Sequence, residues 1–156
     1  MLFAPLKYIH LLAVILWLGG MAFSHFFLRP AAQTLEPAAR VPLMHAVLKR
    51  FFAAMLVTVA VVLLSGAGMV ASVYHMASQA GLRFQMPLSW HVMAALGLVM
   101  AGIFGHIRFA LFKRLDRAVQ AGDWPAGGKA LASIRVWVAA NLALGVAIIT
   151  ALRLAL

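Results

Sequence analysis

Residues 6–28 read LKYIHLLAVILWLGGMAFSHFFL and are followed at once by Arg29 and Pro30. The run holds one lysine and two histidines, contains no acid, and is otherwise almost entirely apolar. A helix needs about 20 mostly apolar residues to cross the hydrocarbon core of a bilayer. The stretch is too long for the apolar part of a cleaved signal peptide, and it therefore predicts a retained transmembrane helix that ends near Pro30.

Three further runs meet the same criterion, at about residues 51–74, 88–112 and 131–154. Of the 156 residues, 65% are hydrophobic and only 10% are charged, whereas a soluble domain carries about 25% charged residues. We therefore predict an all-α membrane protein with a single transmembrane domain over residues 1–156, built as a bundle of four transmembrane helices. The second helix has a candidate amphipathic lead-in from Pro42.

The lysines and arginines are distributed unevenly among the connections. The second connection holds only Arg83, whereas the first and third hold many basic residues: Arg29, Arg40, Lys49 and Arg50, and Lys113, Arg114, Arg117 and Lys129. Because cytoplasmic loops are the basic ones, we predict that both termini face the periplasm and that the chain resides in a bacterial inner (cytoplasmic) membrane. The net charge of +10 indicates attraction to anionic lipid headgroups and not nucleic-acid binding.

Composition also excludes several chemistries. The chain has no cysteine, which removes disulfides, thiolate metal sites and covalently attached haem. Its three acids are Glu36, Asp116 and Asp123, and all of them lie between the predicted spans. A paired-carboxylate mechanism inside the membrane is therefore excluded, and any metal or cofactor must be held by histidine, methionine or carboxylate.

Four of the six histidines are spaced in a repeated pattern. His10 and His25 lie fifteen residues apart on the first helix, and His91 and His106 lie fifteen apart on the third. Such a spacing corresponds to roughly 22 Å along a helix and about 60° around its axis. Helices one and three run parallel, so we predict two pairs at matched depths, His10 with His91 and His25 with His106, as axial ligands of two haem b groups.

Other residues fit this hypothesis. Arg29 and Arg108, with Arg135 nearby, are cations for haem propionates on the cytoplasmic side. Small residues leave room for a flat macrocycle, although helix packing explains them equally: Gly19, Gly20, Gly66, Gly68, Gly97, Gly102, Gly105 and Gly145. His45 and His75 are predicted to lie in the interfaces, and each remains a possible replacement ligand on its own side.

Several mid-membrane and loop residues have simpler explanations. Trp17 is predicted to pack against lipid or helices, with a place between two haems as the alternative. Ser65, Thr58 and Asn141 are predicted to form hydrogen bonds between helices. Met76 and Met86 flank the outer loop near His75 and His91, which permits a soft copper(I) site.

Motifs along the chain resemble the CopD (copper resistance D) superfamily of small membrane proteins. The first helix carries Lys7, His10, Trp17 and Gly20, and similar patterns follow at Lys49-Arg50-Phe51-Phe52, Ser65-Gly66, Trp90-His91, Gly105-His106 and Asn141-Leu142-x-Leu144-Gly145. The superfamily includes the haem-containing protoporphyrinogen oxidase, whose opening is similar. In that enzyme a lysine follows the third-helix histidine by two positions, and this chain has Met93 there.

Three functions follow as hypotheses. The first is a di-haem b-type cytochrome that transfers electrons across the membrane, with a quinone or a periplasmic redox partner. The second is an oxidoreductase similar to protoporphyrinogen oxidase, and the third is a copper transport or copper resistance protein. A homodimer is a further possibility, with Gly66-Ala67-Gly68 as its candidate contact.

Overall fold

The chain folds into four helices joined by short turns, as the computed structural model shows for residues 2–154, with side chains described as far as residue 151. The helices are α1 (Phe3–Ala32), α2 (Pro37–Gln79), α3 (Leu88–Gln120) and α4 (Trp124–Leu154). Each is long and apolar enough to cross a membrane, and residues 2–154 contain no strand. The predicted fold class is therefore confirmed.

The helices extend beyond the predicted spans. Helix α1 begins at Phe3, because Pro5 falls in its first turn, where a missing backbone N–H costs nothing. Helix α2 begins at Pro37 and passes through Pro42, so the amphipathic lead-in predicted from Pro42 is present and longer. Helix α3 continues to Gln120 because Phe112, Leu115 and Ala118 are spaced to bury one helical face.

Glycines with left-handed backbone and a helix cap stabilise the turns between helices. Gly81 and Gly122 have φ values of 69° and 66°, and this left-handed backbone suits glycine just after a helix end. Before α4, an Asp123 carboxylate oxygen accepts the backbone N–H of Ala126 at 2.9 Å. This bond satisfies one of the otherwise unpaired N–H groups at the start of α4.

Aromatic side chains join three of the helices in the core. Trp17 of α1 meets the edge of Phe104 of α3, with ring centroids 6.4 Å apart. Phe52 of α2 contacts Phe104 at 6.1 Å and Phe112 at 5.5 Å. Trp17 is buried, and its role is therefore helix packing, as predicted.

Two of the helices contain a single wider turn. Residues Ser24–Leu28 in α1 and Ile107–Leu111 in α3 form π-helical segments. His25 lies within the first segment, and His106 immediately precedes the second. Such turns add one residue to a helical turn and are frequent at functional sites.

Half of the glycines that were predicted to leave room for a flat macrocycle instead pack against side chains. A Cβ added to Gly20 would lie 2.6 Å from the Phe51 ring, and Gly145 is similarly closed off by Leu18 and Met100. Gly66 packs on His10 and Gly68 on Leu6. The Gly66-Ala67-Gly68 stretch is thus an intramolecular contact between α2 and α1, which corrects its prediction as a dimer contact.

Candidate functional site

The most constrained histidine is His10, which lies half-buried on the inner face of α1 together with Ala13 and Trp17. Its Nδ1 is 3.0 Å from the Val62 carbonyl oxygen and 3.0 Å from the Ser65 hydroxyl of α2. The ring also lies against Gly66, where an added Cβ would be in ordinary van der Waals contact, 3.4 Å from His10 Cε1. Ring orientation is therefore fixed by the facing helix.

These contacts determine which ring nitrogen carries the proton. A carbonyl oxygen only accepts, and the Ser65 hydroxyl already donates to carbonyl oxygens of its own helix, so Nδ1 of His10 must be the donor. Nε2 then carries a lone pair, and no residue in 2–154 bonds to it. An imidazole held by an Nδ1–H bond to a carbonyl, with Nε2 left free, is the usual state of a metal-ligating histidine.

Methionines of α2 and α3 are the soft donors nearest to His10 in sequence register. Met69 follows Ser65 by one helical turn on α2, and Met93 and Met100 of α3 are partly buried and buried, respectively. Met100 is only 4% exposed. Within residues 2–154, no three histidine or carboxylate side chains come together as a metal site, so a metal ion at His10 would need thioether sulfur.

The depth of His10 differs from its prediction. Phe3 stacks on Trp90, and Trp17 meets Phe104; in each contact the second residue lies 87 positions after the first (90 − 3 and 104 − 17). By this register His10 lies level with Gly97, which is six residues, or about 9 Å, deeper than His91. The register comes from the packing of α1 against α3, which the position of each histidine along its own helix does not specify.

The histidines predicted to pair as haem ligands do not contact each other. His91 is exposed and its Nδ1 lies 3.2 Å from the Pro87 carbonyl oxygen of its own helix. His106 is also exposed and meets the edge of Trp137 of α4 at 5.1 Å, whereas His25 lines a cavity between α1, α2 and α4. Among residues 2–154, no hydrogen bond or ring contact joins His10 to His91 or His25 to His106. Both haem pairings therefore stay predictions.

The two predicted propionate partners lie in different places. Arg29 lines the cavity beside His25 together with Arg135. Arg108 instead lies over the Phe112 ring, 5.4 Å from its centroid, and its buried Nε has no hydrogen-bond partner in the part of the chain described. His75 and Met76 are exposed near the C-terminal end of α2.

The mid-membrane polar residues differ from one another. Ser65 forms the predicted bond between helices, to His10. Thr58 instead donates to the Ala54 carbonyl of its own helix at 3.1 Å. Asn141 is 1% exposed, and neither polar atom of its side chain has a partner among residues 2–154.

His45 has a partner that sequence reasoning missed. Its Nε2 lies 2.8 Å from an Asp116 carboxylate oxygen, and its ring stacks on Phe112 at 5.3 Å. The two residues are 71 positions apart, so only the packing of α2 on the amphipathic end of α3 brings them together. The bond ties these helices together beyond the apolar spans.

We expect Asp116→Asn to lower the free energy of unfolding by about 1 kcal/mol. The value is at the low end for a charge-assisted bond because the Asp116 side chain is 40% exposed. Glu36→Gln is the control, since Glu36 is exposed and makes no ion pair with the described residues. Denaturation in detergent followed by circular dichroism measures both variants, and equal stability for the two would contradict the role of the pair.

Taken together, the fold and site define a small multi-pass membrane protein with a histidine held in its interior. A family model described as CopD, copper resistance protein D, matches residues 45–155, which is more than half of the chain. The chain therefore belongs to the CopD family. The matched range covers most of α2 with α3 and α4, and α1 precedes it. Searches of curated proteins and of solved structures gave no match.

Proposed function

We propose that this protein handles copper within the membrane, as a member of the copper resistance machinery. Family membership supports copper, and the observation that carries the proposal is His10. Its imidazole is held by α2 through Nδ1 and presents a free Nε2 inside the bundle.

The chemistry of the surrounding residues suits Cu(I). Thioether sulfur is a soft donor that selects Cu(I), and imidazole nitrogen also suits copper; neither carries a charge. His10 would supply the nitrogen, and Met69, Met93 and Met100 of α2 and α3 are the candidate sulfur donors. No carboxylate lies on the apolar spans, so the only charge such a site places in the membrane is that of the ion.

The distribution of basic residues indicates how the protein is oriented in the membrane. We infer that both termini face the periplasm of a bacterial inner membrane, because the helix ends that flank the α1–α2 and α3–α4 turns are rich in lysine and arginine. His10 then lies in the periplasmic half of the bundle, where copper from outside the cell arrives first.

A b-type cytochrome is the second candidate function. One observation favours it: the Val62 carbonyl fixes the His10 ring through Nδ1, which leaves Nε2 as the nitrogen that would bind an iron ion. His10 thus fits one axial position of a haem, which would supply electron transfer with a quinone or periplasmic partner. His91 and His106 are exposed and contact other residues, so the residues present supply single ligands and not facing pairs.

His10→Ala should reduce Cu(I) binding to the purified protein at least tenfold, because the variant removes the one nitrogen ligand inside the bundle. Competition with a coloured Cu(I) chelator measures the affinity. Ile15→Ala is the matched control: Ile15 lies on the same helix as His10, is exposed and carries no atom that binds metal, so its loss should leave binding within twofold. Equal binding by both variants would refute the copper proposal.

The same preparation separates the two candidates. The cytochrome predicts sharp bands in the dithionite-reduced minus oxidised spectrum of protein expressed with ample haem, and their loss in His10→Ala. Copper handling predicts no such bands in the wild-type protein, together with Cu(I) binding that depends on His10. Retention of haem by His10→Ala would remove His10 from the cytochrome hypothesis.

A further inference from the structure

A basic cavity of about 180 Å³ lies between the ends of α1, α2 and α4. Three arginines from three helices line it: Arg29 of α1, Arg40 of α2 and Arg135 of α4. Each is partly buried. His25 and Gln33 add further polar groups to the same wall. By the predicted orientation this end of the bundle is cytoplasmic.

No acid of the chain neutralises these arginines. Asp116 is paired with His45, and Asp123 caps the start of α4. Glu36 is exposed and does not line the cavity. Among residues 2–154, the three arginines form no salt bridge and no side-chain hydrogen bond. Three like charges held together at the edge of an apolar bundle repel one another, so the cavity is suited to an anion.

The rest of the cavity is apolar, which indicates what kind of anion it suits. Leu48, Phe51 and Val138 form its inner wall towards the bundle core. Next to His25 on the π-helical segment, Phe26 and Phe27 do not line the cavity and are 61% and 66% exposed. The cavity therefore combines arginines with apolar side chains at one end of a bundle of membrane-spanning helices, and basic pockets between membrane helices bind anionic lipid headgroups.

We propose that this cavity binds the phosphate of an anionic phospholipid, with Arg29, Arg40 and Arg135 as its donors. Arginine pairs with phosphate through two parallel N–H bonds, and this geometry is lost with lysine or glutamine. The bound phosphate offsets part of the positive charge of the cavity and ties the ends of three helices together. The site is separate from His10, which lies in the other half of the bundle.

Native mass spectrometry of the full chain, released from detergent micelles with added phosphatidylglycerol or phosphatidylcholine, tests the proposal. The wild-type protein should retain phosphatidylglycerol at least tenfold better than phosphatidylcholine. Arg29→Gln/Arg135→Gln should lose most of this preference. Arg50→Gln/Arg114→Gln is the matched control, because it removes the same charge from exposed residues and should retain the lipid within twofold of wild type.

Each outcome decides the assignment. Equal retention of the two lipids by wild type, or equal loss in the two double variants, overturns a specific site and leaves only general attraction of a basic surface. Displacement of the lipid by millimolar inorganic phosphate would show that the cavity takes a free anion, which overturns the lipid assignment. The wild-type comparison needs no variant to fold, and Arg29→Lys/Arg135→Lys provides a charge-preserving variant that should bind with intermediate affinity.

Discussion

Replacing Phe52 with alanine is expected to lower the free energy of unfolding by about 2–4 kcal/mol. Phe52 is 1% exposed and is the ring through which α2 contacts both Phe104 and Phe112 of α3. In a bilayer the separated helices remain in an apolar environment, so transfer from water contributes little. The cost comes from the cavity and the lost van der Waals contacts, which is why the estimate is below the upper range for soluble proteins.

Phe109→Ala is the control for this measurement. Phe109 lies on the same helix as Phe104 and Phe112 but is 56% exposed, and its loss should cost well under 1 kcal/mol. Both variants are compared with wild type by the thermal midpoint in detergent, followed through intrinsic fluorescence. A Phe52 variant as stable as the Phe109 variant would mean that the aromatic contacts do not hold α2 against α3.

The number and type of helices were predictable because they depend on local composition. Four apolar runs of this length, separated by proline-containing connections, predict a bundle of membrane-spanning helices, because helices satisfy their backbone hydrogen bonds within lipid. The positions of the helix ends were harder to predict from the sequence. The continuation of α3 to Gln120 was readable in the spacing of Phe112, Leu115 and Ala118, but charged neighbours made the segment resemble a loop.

The site was only partly predictable, because it depends on which faces the helices turn towards each other. Spacing placed His10 and His25 on one side of α1, and both do face protein. The same reasoning could not place His91 and His106, which lie on the exposed side of α3. The register between parallel helices is set by contacts such as Phe3 with Trp90, and nothing in the sequence of either helix alone specifies it.

Pairings over long sequence separation were missed for the same reason. The basic residues Arg29 and Arg135 were assigned to one side of the membrane, but their convergence with Arg40 depends on α2 and α4 packing closely. Gly127 allows this approach, since a Cβ there would lie 2.6 Å from Val41. The π-helical turn that carries His25 likewise reflects tertiary packing and has no sequence signature of its own.

Asn141→Leu is expected to raise the free energy of unfolding by about 1–2 kcal/mol. The Asn141 amide is fully buried, and both of its polar atoms lack partners within residues 2–154. The separated helices in a membrane can find partners for that amide, so folding without one has a net cost. Leucine has a similar shape and carries no polar group, and the variant should therefore fold more stably.

The sign of the Asn141→Leu effect reports on function as well as packing. Thr58→Val is the control, because the Thr58 hydroxyl is already satisfied by the Ala54 carbonyl and its removal should change stability by less than about 0.5 kcal/mol. Both are measured by denaturation in detergent, with Cu(I) absent and present. A less stable Asn141→Leu variant would mean that the amide has a partner in the folded protein, such as a buried water. If the Asn141→Leu variant is less stable than wild type only when Cu(I) is present, the amide partner depends on the ion. Asn141 would then contribute to copper handling together with His10.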